Sequence, residues 1–318
     1  MLNDMPLNAA PRTPARASDY VQLLKPRIMM LVVFTALAGL IAAQGMTGQV
    51  VHPFMAFVVI LAVSLGSGAA GAINMWYDAD IDAVMTRTST RPIPSGAVPR
   101  EEALALGLIM SAVSVLLIWM AANTLAAFLL ALSIAYYGWF YTMVLKRRTA
   151  QNIVIGGAAG AFPPVIGWAA VTGTAPLDAW LLFALIFFWT PPHFWALSLV
   201  AHKEYEKAGV PMLPVTSGAK ATRLQILLYT LSLIPVGLAP VFTGLGGAIY
   251  LVTTLGLTAV FLYFAVQVFR SRAGDADMAD AERRLAMQMF AFSILYLFGL
   301  FAALIVELGF AMYWPIGA

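Results

Sequence analysis

Long, almost uncharged apolar segments recur along the whole of this sequence. A helix needs about 20 consecutive apolar residues to cross the hydrocarbon core of a bilayer. Nine segments are long enough: 28–46, 53–73, 102–121, 124–145, 152–172, 178–200, 222–243, 246–269 and 286–312. Only 10% of all residues are charged, whereas soluble proteins contain about 25%. An open sheet cannot satisfy its backbone hydrogen bonds in lipid, so the sequence predicts an all-α, polytopic membrane protein with nine transmembrane helices.

The basic residues all lie on one side of these segments, which predicts the orientation of the chain. With the N-terminus inside, the inner segments are 1–27, 74–101, 146–151, 201–221 and 270–285. Together with Arg223 at a segment edge, they contain all 18 Lys and Arg residues. Cytoplasmic loops carry such an excess, so we expect a cytoplasmic N-terminus, an external C-terminus and a multi-pass chain in the lipid bilayer. The net charge is only +3, and the pI of about 9.2 gives no reason to expect nucleic-acid binding.

Composition and spacing also predict the domain organisation. Residues 1–19 are small, polar and proline-containing, which predicts a disordered cytoplasmic tail before a single membrane domain over 20–318. The loops 74–101 and 201–221 each follow an even-numbered segment and each mix acidic and basic residues. This similarity suggests two four-helix halves plus a ninth helix. The absence of cysteine excludes disulfides, iron–sulfur clusters and thiolate metal sites.

The first of these loops begins with three oxygen-bearing side chains spaced by four residues, Asn74, Asp78 and Asp82. If the helix continues past the second segment, all three lie within an arc of about 80°. Asp80 falls off that arc. Mg²⁺ prefers one or two carboxylates and leaves its other positions for water and substrate phosphates. The pattern therefore predicts a metal site, and the alternative is a solvated, charge-balanced loop.

Two arginines, Arg87 and Arg91, follow this metal-ligand pattern. Arginine binds phosphate oxygens in a bidentate fork. Together with a magnesium site, they predict that the loop binds a diphosphate.

The pattern Asn74-x-x-x-Asp78-x-x-x-Asp82, followed by Arg87-Thr88-x-x-Arg91-Pro92, resembles the first aspartate motif of the UbiA-type intramembrane prenyltransferases. Other blocks resemble the heme O synthase branch of that superfamily. They are 19–27, 141–149, 152–168, 189–197 and 209–215. The resemblance implies a nine-helix bundle in the cell inner membrane, with its active site on the cytoplasmic side.

For the reaction, the resemblance implies transfer of the farnesyl group of farnesyl diphosphate to a vinyl group of heme b, with addition of water. Mg²⁺ would be the cofactor, and heme b a substrate. The resemblance also suggests a heme A synthase or a terminal oxidase assembly as a partner.

The second loop departs from the superfamily pattern. Other members carry a second D-x-x-x-D, whereas this chain has Ala208 four residues after Glu204. The resemblance implies Glu204 as a ligand of a second metal ion. It also implies diphosphate contacts from Lys203, Tyr205 and Lys207, although Lys207 could equally be an ordinary inside-positive anchor.

Four basic residues flank the first and fourth segments: Lys25, Arg27, Lys146 and Arg147. The resemblance implies that they supply fixed positive charge to the substrate, and the alternative is that they only determine topology. Tyr141 precedes Lys146 and could hydrogen-bond a diphosphate, lie near a carbocation, or serve as an interfacial aromatic anchor.

His193 lies inside the sixth segment, directly after Pro191 and Pro192. A polar ring in lipid is costly, so we expect it to face the bundle interior. It could be an axial ligand of heme or a contact to a heme propionate. The alternative is a structural histidine bonded to a backbone carbonyl that the prolines leave free.

Three other polar residues lie in or near the apolar segments. His202 is a second candidate for heme, His52 is expected on the outer face, and Glu307 has no predicted role.

Two other functions fit parts of the sequence. Another aromatic prenyltransferase, acting on hydroxybenzoate or a chlorin, would be expected to have a complete second D-x-x-x-D. A non-enzymatic transporter or heme-handling membrane protein would need no diphosphate site. Because the segments hold almost no charge besides His193 and Glu307, ion-coupled transport is disfavoured.

Overall fold

The computed structural model describes residues 15–313, and its helices follow the apolar segments of the sequence. They are α1 Ala17–Leu23, α2 Pro26–Thr47, α3 Pro53–Tyr77, α4 Ala79–Val84, α5 Arg100–Ala121, α6 Thr124–Ala135 with a π-helical continuation over Tyr136–Leu145, α7 Asn152–Thr172, α8 Leu177–Lys207, α9 Leu213–Thr216, α10 Gly218–Phe242, α11 Ala248–Arg270 and α12 Asp280–Tyr313. Nine helices of this part of the chain are long and apolar enough to cross a membrane, so the predicted spans are confirmed. The orientation of the bundle stays a prediction.

Helix α8 extends beyond the end predicted from hydropathy. The apolar segment stops at 200, whereas the helix continues to Lys207. Lys and Glu are good helix formers, so the helical backbone hydrogen bonds continue beyond residue 200. Gly209 follows the end of the helix, and its φ of +66° is typical of a glycine that terminates a helix. The predicted second loop therefore starts as a helix that projects Glu204 and its neighbours from the end of the bundle.

The N-terminal helix α1 corrects the predicted tail. The sequence predicts disorder through residue 19, whereas the helix begins at Ala17. Asp19 explains this start, because its carboxylate accepts a hydrogen bond of 2.9 Å from the backbone N–H of Arg16. The fully buried side chain of Leu23 anchors the helix against the bundle. Residues 1–14 lie outside the described part of the chain.

Helices α2 and α7 cross with their backbones in direct contact. A Cβ atom on Gly39 would lie 2.1 Å from the carbonyl oxygen of Pro164, and one on Gly167 would lie 2.1 Å from that of Ala36. Small residues allow such close packing of helices in membranes. These helices are the first members of the two predicted halves, and the division into halves stays a prediction.

The last helix, α12, packs against α2, α8 and α11. Near its C-terminal end, the carboxylate of Glu307 accepts hydrogen bonds from the backbone N–H groups of Gly247, Ile249 and Tyr250, at 2.7–3.1 Å. It thereby caps the N-terminus of α11, a structural role for a residue that had none from the sequence.

Candidate active site

Asn74, Asp78 and Asp82 lie side by side in the protein interior. They are 3%, 0% and 2% exposed. Helix α3 ends at Tyr77 and α4 begins at Ala79, so the continuous helix on which the predicted arc depends is broken at Asp78. The hydrogen-bond ladder nevertheless survives, because Asp78 N–H donates to the Asn74 carbonyl at 2.9 Å and Asp82 N–H donates to the Asp78 carbonyl at 2.8 Å.

Each of the two buried carboxylates has a basic partner from another part of the chain. Lys146 donates to Oδ2 of Asp78, and Arg91 Nη1 donates to Oδ2 of Asp82 at 2.7 Å. Removing one partner of such a buried pair leaves an uncompensated charge, at a cost of about 3–5 kcal/mol. These four of the predicted acidic and basic residues therefore pair with one another in the buried cluster.

Lys25 joins this cluster from the break between α1 and α2. Its ammonium group donates to Oδ1 of Asn74 at 2.5 Å and lies 5.8 Å from the ring centroid of Tyr137. Its φ and ψ of 54° and 58° are left-handed, a conformation that is strained for a non-glycine residue and is often found at functional sites. Burial, followed by repulsion from Arg91 and Lys146, lowers the pKa of Lys25 to about 7.

The π-helical segment Tyr136–Leu145 contributes Thr142, for which the sequence predicts no role. Thr142 bridges two elements, because its hydroxyl accepts from Asn74 Nδ2 at 2.9 Å and donates to the Tyr137 carbonyl at 2.7 Å. The Lys146 N–H donates to the carbonyl of Tyr141, five residues back. Such wide turns occur frequently at functional sites.

Tyr141 packs between the π-helical segment and α7. Its ring stacks on Tyr137 with centroids 5.4 Å apart. A Cβ atom on Gly156 would lie 2.2 Å from the ring of Tyr141, so the glycine makes room for it. The proposed roles of Tyr141 toward substrate stay predictions.

Arg147 and Asp80 form a separate pair at the rim. The guanidinium donates to both carboxylate oxygens of Asp80 at 2.7 and 2.8 Å, and it lies 4.7 Å from the ring centroid of Tyr77. Hydrogen bonding to Arg147 lowers the pKa of Asp80 below its usual value. Asp80 is 62% exposed, whereas Arg147 Nη2 also lies 3.6 Å from Asp78 Oδ1. Arg147 therefore connects the rim with the buried cluster.

The helical extension of α8 contributes Tyr205, which is 4% exposed. Arg87 lies beside its hydroxyl group, and Arg91 lies nearby. The two loops thus meet through these side chains, as a joint diphosphate site would require.

The other predicted residues of the second loop do not enter the buried cluster. Glu204 is half-buried, and within residues 15–313 its carboxylate forms no ion pair or hydrogen bond with another side chain. Lys203 and Lys207 are exposed. Lys207 lines a cavity of about 250 Å³ together with Asp80 and Arg147.

His193 lies elsewhere, at the contact between α8 and α12. Its Nδ1 atom is 2.6 Å from the hydroxyl of Ser293. The structural alternative predicts a hydrogen bond from His193 to a backbone carbonyl that the prolines leave free, whereas the observed partner is a serine hydroxyl. The backbone of Arg27 is helical, but its side chain lies outside the described part of the structure.

The buried oxygens suit a hard cation. Within the described residues, no group of three or more His, Cys, Asp or Glu side chains lies together, and the predicted ligands are instead two carboxylates and an amide. Oδ1 of Asp78 is buried without a hydrogen-bond partner. Arg147 Nη2, at 3.6 Å, is too far to donate a hydrogen bond to this oxygen. A buried carboxylate oxygen without a hydrogen bond is costly, and a divalent cation would satisfy it. The donor set therefore fits Mg²⁺, which prefers few carboxylates.

Comparison with known proteins agrees with the family resemblance of the sequence motifs. The family model described as the UbiA prenyltransferase family matches residues 32–294. A curated relative from Hyphomonas neptunium, named protoheme IX farnesyltransferase, is 70% identical over 305 residues, which cover 96% of this chain and 96% of the relative.

Solved structures share the fold at low identity. A structure of digeranylgeranylglyceryl phosphate synthase has a TM-score of 0.72 and 17% identity, covering 92% of this chain and 98% of that one. A UbiA homolog from Archaeoglobus fulgidus bound to DMAPP and Mg²⁺ has a TM-score of 0.64 and 17% identity, with coverages of 90% and 99%.

Proposed function

This chain belongs to the UbiA prenyltransferase family, and from this we propose that it transfers the farnesyl group of farnesyl diphosphate to a vinyl group of protoheme IX. The observation that carries the proposal is the buried cluster in which Asn74, Asp78 and Asp82 meet Lys25, Lys146 and Arg91. The 70% identical relative named protoheme IX farnesyltransferase supports the choice of acceptor.

The basic side chains bind and orient the diphosphate of the donor. Lys146, Arg91 and Lys25 each contact a predicted metal ligand. A diphosphate placed among them would compete with the two carboxylates and the Asn74 amide oxygen for their N–H groups. Arg87 would add a further contact from its position beside Tyr205. Positive charge fixed where negative charge develops lowers the barrier to C–O cleavage.

The carboxylates and the amide would hold Mg²⁺. Asn74, Asp78 and Asp82 are the proposed ligands, with Glu204 as the ligand of a second ion. When bound, the metal neutralises charge on the departing diphosphate oxygen. The Archaeoglobus fulgidus homolog bound to DMAPP and Mg²⁺ supports Mg²⁺ as the cofactor.

Transfer then proceeds through an allylic cation. The C–O bond breaks and its electron pair leaves with the diphosphate. Tyr137 and Tyr141 stack beside Lys25 and Asn74, where their ring faces could stabilise a cation. The vinyl π electrons form the new C–C bond, water adds to the resulting benzylic-type cation, and a proton is released. The product is hydroxyethylfarnesyl heme, heme O.

We place this reaction at the cytoplasmic face of the plasma membrane. The basic residues of the cluster belong to the segments that carry the Lys and Arg excess, and that excess marks the cytoplasmic side.

The test is a reconstitution with a choice of acceptors. Purified full-length protein with Mg²⁺ and farnesyl diphosphate is given protoheme IX or hydroxybenzoate, and product masses are measured. We expect protoheme to gain one farnesyl and one hydroxyl group. Prenylation of hydroxybenzoate with unaltered heme would overturn the choice of acceptor.

A further inference from the structure

His193 and Ser293 connect α8 and α12 through a contact that determines which ring nitrogen of the imidazole carries the proton. Nδ1 of His193 is 2.6 Å from Oγ of Ser293. The same Oγ is 2.6 Å from the backbone carbonyl oxygen of Phe290. Both distances are those of hydrogen bonds.

The hydroxyl group has a single hydrogen to share between these two partners. A carbonyl oxygen can only accept, so the hydrogen of Ser293 must point at Phe290. The contact with His193 then requires the imidazole to donate from Nδ1. A neutral ring with its proton on Nδ1 has an unprotonated lone pair on Nε2.

The two faces of the imidazole are covered by aromatic rings. Trp189 stacks on one side at 4.2 Å between centroids, with an interplanar angle of 19°. Phe290 stacks at 4.6 Å and 24°. Trp189 is itself fixed, because its indole N–H donates to the Ser293 carbonyl at 2.6 Å. A ligand can therefore approach His193 only along the ring edge, where Nε2 lies.

We infer that Ser293 is a positioning residue that presents the unprotonated Nε2 of His193, edge-on, to the iron of the heme acceptor. This inference rests on the proposed function. Metal-ligating histidines typically donate their other ring N–H to a fixed partner, which sets the tautomer. An unprotonated Nε2 cannot donate to a propionate, so the geometry favours iron ligation over the propionate contact.

His193 and Glu204 lie at different depths along α8. It lies 11 residues before Glu204 on the same helix, which corresponds to about 16 Å along the axis. The iron would lie deeper in the bundle than the diphosphate of the donor.

The tautomer can be measured directly in the full-length protein without any substrate. The chain contains 3 histidines, so ¹⁵N spectra of histidine-labelled protein are simple to assign with His193→Ala as reference. We expect the proton of His193 on Nδ1, and a change in its ¹⁵N shifts in Ser293→Ala. A proton on Nε2 in the wild-type protein overturns the inference, whatever the enzyme prenylates.

Ferric heme binding, followed by its absorption spectrum, tests the consequence for the iron. We expect the absorption features that report a bond between the iron and an imidazole nitrogen to be absent in His193→Ala. Ser293→Ala should bind heme about 10–100-fold more weakly. Ser293→Thr keeps the hydroxyl and should restore binding. Farnesyl diphosphate affinity should be unchanged in Ser293→Ala.

A matched control separates positioning from packing. Ser198→Ala removes another fully buried hydroxyl, this one on α8 itself. That hydroxyl donates only within its own helix, to the Trp195 carbonyl at 3.0 Å, so its loss should leave the heme spectrum unaltered. If Ser293→Ala binds heme as tightly as the wild-type protein does, the inference about Ser293 is overturned and the proposed acceptor is not. Wild-type protein that binds no heme would overturn both the inference and the proposed acceptor.

Discussion

Lys146 forms an ion pair with the fully buried carboxylate of Asp78, across 68 residues of sequence. The pair joins the end of the π-helical segment to the residue at which α3 gives way to α4. Oδ1 of the same carboxylate is buried without a hydrogen-bond partner. Lys146 thus holds one oxygen of Asp78, while the other has only Arg147 Nη2 at 3.6 Å, too far for a hydrogen bond, and can accept a cation.

Replacement of Asp78 by Asn should abolish most of the farnesyl transfer. The change keeps the shape of the side chain but removes the charge that Mg²⁺ and Lys146 share. Loss of one preorganised electrostatic group costs about 10²–10³ in kcat. Initial rates at several Mg²⁺ concentrations measure the effect.

Asp80→Asn is the matched control, since Asp80 carries the same charge two residues away but is 62% exposed and pairs with Arg147 at the rim. We expect a rate within a few-fold of wild type. Equal losses in both variants would contradict the assignment of Asp78 as a metal ligand.

Thr142→Val tests the hydroxyl that links Asn74 to the π-helical segment. Valine has a similar volume but cannot accept the hydrogen bond from Asn74 Nδ2. A bond of this kind contributes about 1 kcal/mol, so we expect roughly a fivefold to tenfold lower transfer rate. The amide of Asn74 would then orient less well toward the cation.

The control is Thr230→Val in α10, where the buried hydroxyl donates only to the Ile226 carbonyl of its own helix at 2.8 Å. This variant should keep its activity. A comparable loss of rate there would mean that the effect of Thr142→Val comes from packing.

The spans were predictable because hydropathy measures the preference of a segment for lipid. The same measure could not predict the end of α8, since helix formation continues in polar residues up to Lys207. The spacing of Asn74, Asp78 and Asp82 placed them correctly on one side, because that relationship is local. Partners distant in sequence, such as Thr142 for Asn74 and Ser293 for His193, leave no periodic signal.

The second loop offers a direct test of the incomplete carboxylate pair. Glu204→Gln should raise the Mg²⁺ concentration needed for half-maximal rate, because it removes the proposed charge for a second ion. Glu206→Gln removes the same charge two residues along the same helix, from an exposed position, and should change little. Metal titrations that coincide for Glu204→Gln and wild type would argue against a second ion at Glu204.

Glu307 should matter for stability and not for transfer. Its carboxylate accepts from three backbone N–H groups at the start of α11, where the helix dipole also favours negative charge. Hydrogen bonds to charged groups contribute about 1.5–3 kcal/mol each, and glutamine keeps part of that bonding. We therefore expect Glu307→Gln to lower the midpoint of thermal unfolding in detergent, while kcat below the transition stays that of wild type. Glu282→Gln is the matched comparison, since Glu282 accepts from the backbone N–H groups of Arg272 and Ala279 at the exposed start of α12, and its replacement should cost less. A fall in kcat of Glu307→Gln with an unchanged unfolding midpoint would show that Glu307 acts on the reaction and not on the helix end.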